Sequence, residues 1–292
     1  MGVKAQPVVD SYLRAQVETI TGGQEDLRAD AADAAHQVRV ATRRVRTTLR
    51  VFHRLVRREL TEPVRGELRW FAGELGPVRD AEVLRERLLT ALADLPGEHR
   101  HGPVEQRLRT ELDREHQAAR QNLLAAMDSP RCSAMLALLD GQVPWRGRAR
   151  KKAKKVLPPL VEASIVRVER TWAGALAAEQ EAERDALFHR TRKKAKAARY
   201  ACDALAPVFG KRATRAAAAW EEVTEALGEF QDARTATARL LQIARIAEEQ
   251  GEPALTYGIL IGRISEQGDQ ARARGHRALE RATRAGSRRL VG

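Results

Sequence analysis

The stretch HQVRVATRRVR, from His36 to Arg46, and the stretch HRTRKKAKAAR, from His189 to Arg199, follow one pattern. In each, a histidine is followed by basic residues three, seven and ten positions later. A second matched pair, LGPVRDAEVL from Leu75 and LGEFQDARTA from Leu227, shares Leu-Gly and an aspartate four residues after the glycine. The copies in both pairs lie 152 or 153 residues apart. Two matches at one offset indicate an internal duplication.

The chain between and around these stretches favours helices. It is rich in Ala, Leu, Arg and Glu, only 4% of its residues are aromatic, and no long run alternates in the manner of a β-strand. We predict an all-α protein of two homologous halves, 1–142 and 143–292, each a four-helix bundle, related by pseudo-symmetry. The predicted helices lie at about 7–20, 29–60, 62–93, 103–128, 130–140, 145–180, 183–207, 211–250 and 253–285.

Prolines and glycines set the predicted boundaries. Pro63 is interpreted as a break between two helices, and the stretch Gly141 to Pro144 is interpreted as a linker between the halves. Pro158 and Pro159 fall inside a predicted helix, which they are expected to kink or split.

The duplicated stretches place cations on one side of each helix. At about 100° per residue, the charges of the first copy span roughly 80° and those of the second roughly 120°. Like charges three or four residues apart repel each other, so a dense cationic face is expected where an external anion neutralises it. The first stripe is His36, Arg39, Arg43, Arg46 and Arg50, and the second stripe is His189, Arg192, Lys193, Lys196 and Arg199.

Each stripe also has an ordinary interpretation. A run of charges is commonly a solvated helix face, but its repetition in both halves favours a functional one. The histidines that head the stripes are candidates for phosphate contact, with structural hydrogen bonding, metal binding and phosphotransfer as alternatives. The opposite faces of the two helices supply core residues, with Val38, Val45, Leu49 and Phe52 in the first and Ala195, Cys202 and Leu205 in the second.

Other residues are candidates for a supporting role. Asp80 and Asp232 form a matched acidic pair that can accept hydrogen bonds from stripe arginines, although an ordinary surface position explains them equally well. Arg79 can add positive charge, but Gln231 stands at its counterpart. The block from Arg146 to Lys155 holds seven basic residues and no acidic one, and Lys152 and Lys155 are its candidates for extending the positive surface.

The overall charge points to an anionic partner. The 52 lysines and arginines outnumber 39 acidic residues, which gives a formal net charge of +13. Nucleic acid, an anionic membrane surface or a phosphate polymer would each fit, and so would an arginine-rich proteome without any such partner. Cys132 and Cys202 lack the spacing of a disulfide framework or a zinc site. Neither an export signal nor a membrane span is apparent, so we expect a cytoplasmic protein.

The repeated His-x-x-Arg helix and the Leu-Gly-x-x-x-Asp element together resemble the CHAD domain, the conserved histidine α-helical domain. This resemblance covers nearly the whole chain. It implies two pseudo-symmetric bundles whose basic helices face a central cleft or pore, binding of inorganic polyphosphate, and association with polyphosphate granules. It also implies that the residues of both stripes, Arg50 excepted, bind the polymer. Val40 stands opposite Lys193, so the first stripe lacks one charge of the pattern.

Two other functions remain open at this stage. Nucleic acid is the second candidate ligand, although Trp70, Phe71, Trp220 and Phe230 are interpreted as core residues and not as stacking platforms. A phosphate-chain-processing enzyme is the candidate from a different class. It would need carboxylates that hold metal ions, and none cluster beside the stripes in the sequence. We therefore expect a binding protein without catalytic residues, metal or cofactor.

Overall fold

A computed structural model describes residues 2–284 of the chain, the side chain of Arg284 excepted. The described residues form helices and no β-strand, apart from two isolated bridges. The all-α prediction is therefore confirmed. The helices are α1 Ala5–Gly22, α2 Gln24–Arg28, α3 Ala34–Val51, α4 Arg58–Ala93, α5 Val104–Met127, α6 Pro130–Asp140, α7 Ala153–Ala177, α8 Glu181–Asp203, α9 Ala206–Phe209, α10 Lys211–Glu249 and α11 Leu255–Arg284.

The two halves of the chain pack their helices in the same order. In the first half α1 contacts α3, α3 contacts α4, and α4 contacts α5. In the second half α7 contacts α8, α8 contacts α10, and α10 contacts α11. The two halves meet at several helix pairs, and in one of them α3 packs against α8. This contact brings the helices that carry the two stripes side by side.

Two hydrophobic cores hold the helices together, and each combines both halves. The larger core extends from α1 to α11 and contains the buried side chains of Phe52, Phe71 and Trp220. The smaller core joins the C-terminal parts of α4 and α10 to α5 and α11, with Leu108 and Tyr257 fully buried. Neither half therefore encloses a core of its own. Burial of such side chains stabilises the fold, so each half depends on the other for part of its stability.

The stripe helices are built as the sequence predicted. All seven residues expected on their core faces are buried, none more than 6% exposed. Apolar side chains therefore fix one face of α3 and α8 in the larger core, and this fixes where their basic faces lie.

Several predicted helix boundaries are wrong. The region 29–60 is not one helix, because Asp30 and Asp33 adopt positive φ angles of 56° and 61° before α3 begins. Aspartate enters this left-handed region more readily than most residues do. Pro63 lies inside α4 and does not end it, and Pro158 and Pro159 do not split α7. The helix predicted from residue 145 begins only at Ala153.

Candidate anion-binding site

The first and second stripes adjoin at the contact between α3 and α8. The Arg43 guanidinium donates a hydrogen bond from Nε to the hydroxyl oxygen of Tyr200 on α8, at 2.9 Å. The guanidiniums of Arg43, Arg44 and Arg199 lie 5.8, 5.4 and 6.0 Å from the centre of the Tyr200 ring. Tyr200 is buried and was not predicted from the sequence. Its ring and hydroxyl connect cations of the two halves through cation–π and hydrogen-bonding contacts.

The aspartate of the first half holds one stripe arginine. Asp80 on α4 accepts a hydrogen bond from Arg39 Nη1 at 2.6 Å. Gly76, one helical turn earlier, lies under the same guanidinium, because a Cβ atom built there would be 3.8 Å from Arg39 Nη2. In the Leu-Gly-x-x-x-Asp element, the glycine thus leaves room for the Arg39 guanidinium and the aspartate accepts its hydrogen bond.

The second half repeats this arrangement more tightly. A Cβ atom at Gly228 on α10 would lie 2.9 Å from Arg192 Nη2, so the glycine leaves the space that the guanidinium occupies. Asp232 is close enough to interact electrostatically with Arg192. Burial raises the pKa of Asp232, and the neighbouring Asp80 contributes in the same direction, so the two matched aspartates lie near each other. We call the group of Arg39, Arg43, Arg192 and Lys196 with these two aspartates the central site.

Lys196 shows how strongly the cations of the central site repel one another. Its pKa is lowered to about 6, mainly by burial and then by the charges of Arg43, Arg192 and Arg39 in that order. Burial is also the main reason that the pKa of Arg192 is lowered, and Arg43 and Arg39 act in the same direction. Cations from both halves therefore act on one another within a single site. The four basic residues of the site outnumber its two carboxylates, so part of their lost hydration is uncompensated and the site favours an incoming anion.

The central site contrasts with the rest of the surface. Elsewhere many arginines form ion pairs, such as Arg14 with Asp10 at 2.8 Å and Arg109 with Glu105 at 2.8 Å. Within the described part of the chain, no carboxylate lies within ion-pair distance of Arg43, Arg192 or Lys196. Arg192 Nε is also buried without a hydrogen-bond partner among the described residues. Buried polar atoms normally have partners, so this donor is left unsatisfied.

The two histidines occupy similar surroundings at the heads of the stripes. Partial burial and the neighbouring Arg79 lower the pKa of His36. Partial burial, Lys193 and Arg192 likewise lower the pKa of His189, whose buried Nδ1 has no hydrogen-bond partner within the described part of the chain. Both imidazoles are therefore mainly neutral at neutral pH and can each donate one N–H to an anion.

The remaining stripe residues differ between the halves. Arg46 is half-buried and Arg50 is exposed at the end of the first stripe, while Lys193 is exposed on α8. Arg199, the counterpart of Arg46, instead forms an ion pair with Glu221. The sequence pattern alone did not distinguish Arg46 from Arg199.

The supporting candidates have mixed surroundings. Arg79 pairs with Glu82 at 3.0 Å and with Asp33 at 3.4 Å, so its charge is largely neutralised and not added to the positive surface. Lys152 and Lys155 are exposed at the start of α7, where the backbone of Lys152 bridges to Lys4. Their part in binding remains a prediction.

A cavity of about 490 Å³ opens beside the second stripe, between α8 and α10. His189, Arg192 and Gln231 line it, and so does Phe230, whose ring is buried and covered by the guanidiniums of Arg234 and Arg272. Phe230 is buried, as its interpretation as a core residue requires, but it lies beside the second stripe. Its buried and covered ring offers little face for stacking on a base.

One group of residues that the sequence did not connect has the composition of a metal site. Side-chain ligand atoms of Asp30, Glu82 and His116 all lie within 4.8 Å of one another. Arginines already neutralise the two carboxylates, since Asp30 pairs with Arg120 at 3.1 Å and Glu82 pairs with Arg79. We assign this cluster no metal.

No helix in the described part of the chain has the length and apolar character needed to cross a membrane.

Solved structures share this fold. PptA from Streptomyces chartreusis superposes with a TM-score of 0.75 at 25% sequence identity, over 95% of this chain and all of that one. The CHAD domain from the plant Ricinus communis superposes with a TM-score of 0.65 at 21% identity, over 96% of this chain and 92% of its own. The second likeness concerns the fold alone.

Sequence relatives extend the comparison. The uncharacterized proteins MT2285 and Rv2226, from two strains of Mycobacterium tuberculosis, are each 32% identical over 286 residues. That alignment covers 96% of this chain and 54% of the relatives, so the chain spans about half the length of the curated relatives it matches. The model of the CHAD domain family matches residues 11–241, a range that includes both stripes and both Leu-Gly elements. The chain therefore belongs to the CHAD domain family.

Proposed function

We propose that this protein binds inorganic polyphosphate at the central site, with cations from both duplicated halves contacting one polymer chain. We further propose that the halves 1–142 and 143–292 descend from one repeat, and that binding takes place in the cytoplasm at polyphosphate granules. Membership of the CHAD family supports the choice of polymer, since polyphosphate is the ligand that the resemblance implies.

One observation carries the proposal. Cations of both halves that lack ion-pair partners converge on the central site, and together with burial they lower the pKa of Lys196 to about 6. Such a group gains most from a ligand that places several negative charges close together, as a phosphate polymer does. The charge-assisted hydrogen bonds that would form are stronger than neutral ones.

Polyphosphate fits the central site better than nucleic acid does. Single-stranded nucleic acid is usually held by exposed aromatic rings on which the bases stack. Two aromatic rings beside the stripes, those of Tyr200 and Phe230, are buried and flanked by guanidiniums. Nucleic acid is therefore the second candidate ligand.

A competition experiment tests the choice of ligand. Labelled long-chain polyphosphate is expected to bind more tightly than single-stranded DNA of equal charge, because the site supplies cations without stacking surfaces. By analogy with single-stranded nucleic acid, log K should fall with log salt by about 0.7 per neutralised phosphate. Titrations with DNA, RNA and heparin as competitors measure both quantities, and equal or tighter binding of DNA would contradict the proposal.

We also propose that the polymer is bound without being cut or extended. Two-metal phosphoryl transfer needs several carboxylates around the reacting phosphate, whereas Asp80 at the central site is engaged by Arg39. Incubation of polyphosphate with the protein and Mg²⁺ or Mn²⁺ should release no phosphate above a protein-free control. Metal-dependent release that disappears in an Asp80→Asn or Asp232→Asn variant would contradict this expectation.

A further inference from the structure

A second basic cavity lies at the far end of the first stripe. It has a volume of about 390 Å³ and is enclosed by the end of α3, the start of α4, the middle of α7 and α8. None of its basic residues except Arg50 was predicted to have a role. Its charged and titratable lining consists of Arg50, His53, Arg58, Arg65, Arg167 and Lys194, with Glu62 as an acidic member.

The charges in this cavity are poorly compensated. Glu62 pairs with Arg65 at 2.5 Å and with Arg58 at 3.8 Å. For Arg50, Arg167 and Lys194, the described residues offer no carboxylate within ion-pair distance. Burial lowers the pKa of Lys194, and four nearby arginines, Arg167 and Arg50 among them, lower it further. Three cations of this cavity therefore face one another without an acidic partner among the described residues.

The cavity is joined to the central site by Arg46. This side chain lies on α3 one turn from Arg43 on one side and one turn from Arg50 on the other. Burial lowers the pKa of Arg46, and the charges of Arg69, Arg65, Arg50 and Arg43 act in the same direction. Because one helical turn advances about 5.4 Å, these arginines form a continuous cationic path from one site to the other.

The corresponding end of the second stripe, beside Arg199, carries acidic residues where the first half has arginines. At the offset of 153 residues, Asp203 stands where the first half has Arg50, and at 152 residues Glu221 stands where it has Arg69. Glu221 forms an ion pair with Arg199, and Asp203 lies near Arg199 and Arg44. The cations there already have acidic partners. The positive path thus leaves the central site toward the cavity and not toward the equivalent end.

We propose that this cavity is a second subsite, which holds the part of a long polyphosphate chain that extends beyond the central site. The inference rests on the function proposed above and adds a preference for chain length. A short chain fills the central site alone. A longer chain also reaches Arg167 and Lys194 by way of Arg46 and Arg50, and so gains further contacts without a second association step.

The test compares two chain lengths on two variants with equal loss of charge. The subsite variant carries Arg167→Gln and Lys194→Gln. The control variant carries Arg14→Gln and Arg109→Gln, two arginines that form exposed ion pairs away from both sites. Affinities for tripolyphosphate and for a long chain are measured by calorimetry at fixed salt, and circular dichroism monitors helix content.

The subsite variant is expected to bind the long chain about tenfold more weakly, because two phosphate contacts are lost. The control variant measures the loss of affinity that follows from lower net charge alone. After correction for that loss, the affinity of the subsite variant for tripolyphosphate should stay within about twofold of the wild-type value. Equal losses for both chain lengths, or no loss for the long chain, would overturn the subsite. A wild-type protein that binds neither chain would instead overturn the proposed function itself.

Discussion

Replacing Arg39, Arg43 and Arg46 with alanine is expected to weaken binding of long-chain polyphosphate about a thousandfold. The matching replacement of Arg192, Lys196 and Arg199 is expected to weaken it about a hundredfold, because Arg199 is already paired with Glu221 and contributes little. Hydrogen bonds to charged groups contribute about 1.5–3 kcal/mol each, so three lost contacts account for the larger factor and two for the smaller. Both losses follow from one shared site, because the cations of α3 and α8 are close enough to change one another's pKa.

Two independent sites would give a different result. Either triple variant would then keep near-native affinity at half the stoichiometry, which calorimetry distinguishes directly. The control removes three arginines that form exposed ion pairs, Arg14, Arg109 and Arg281, and it should change affinity little. Circular dichroism on all three variants shows whether their helices survive. Half-stoichiometric binding at unchanged affinity would mean that the stripes do not act together.

Binding of polyphosphate should weaken about tenfold between pH 7 and pH 8. In the free protein the pKa of Lys196 is lowered to about 6, so above that pH the amine is mostly neutral. A bound anion favours the charged amine and raises its pKa, so binding takes up a proton. Linkage then makes the affinity fall by up to one power of ten per pH unit above about pH 6. Calorimetry in buffers of different ionisation enthalpy measures the proton uptake.

Lys196→Arg is the matched control for this pH dependence. Arginine keeps its charge over the whole range, so the variant should bind with a much flatter pH profile. The stability of the ligand-free wild type should depend on pH in the opposite sense to its affinity for polyphosphate. The reason is that the unfolded chain keeps the proton of Lys196 up to the ordinary lysine pKa. Its stability should therefore rise as pH increases from 6 to 8.5. A Lys196→Arg variant with the wild-type pH slope would assign the proton to another group.

Much of the fold could be predicted because its signals are local. The apolar spacing that buries Val38 and Leu49 also determines which side of α3 carries cations, and both are visible within a few turns of sequence. The helix breaks were harder to predict. The positive φ angles of Asp30 and Asp33 interrupt a stretch whose composition suits a helix, and Pro63 is accommodated within the early turns of α4.

The sequence revealed the stripes but not what surrounds them. Tyr200 is separated from Arg43 by 157 positions, so their hydrogen bond depends on how α3 meets α8. The role of Gly228 depends on a guanidinium that reaches it from another helix. The duplication itself concealed the difference between the two ends. Arg46 and Arg199 match in the sequence, but in the structure the charge of Arg199 is neutralised by Glu221.

The two mixed cores have a consequence for how the molecule comes apart. Each core draws side chains from both halves, so separating the chain at Gly141–Pro144 would expose apolar surface on both fragments. We therefore expect neither half to unfold while the other stays intact, so that the chain unfolds in one cooperative transition. A packing defect beside Trp220 is therefore transmitted to α3 as well as to α8. The two stripes keep their mutual position for as long as the protein is folded, and they lose it together.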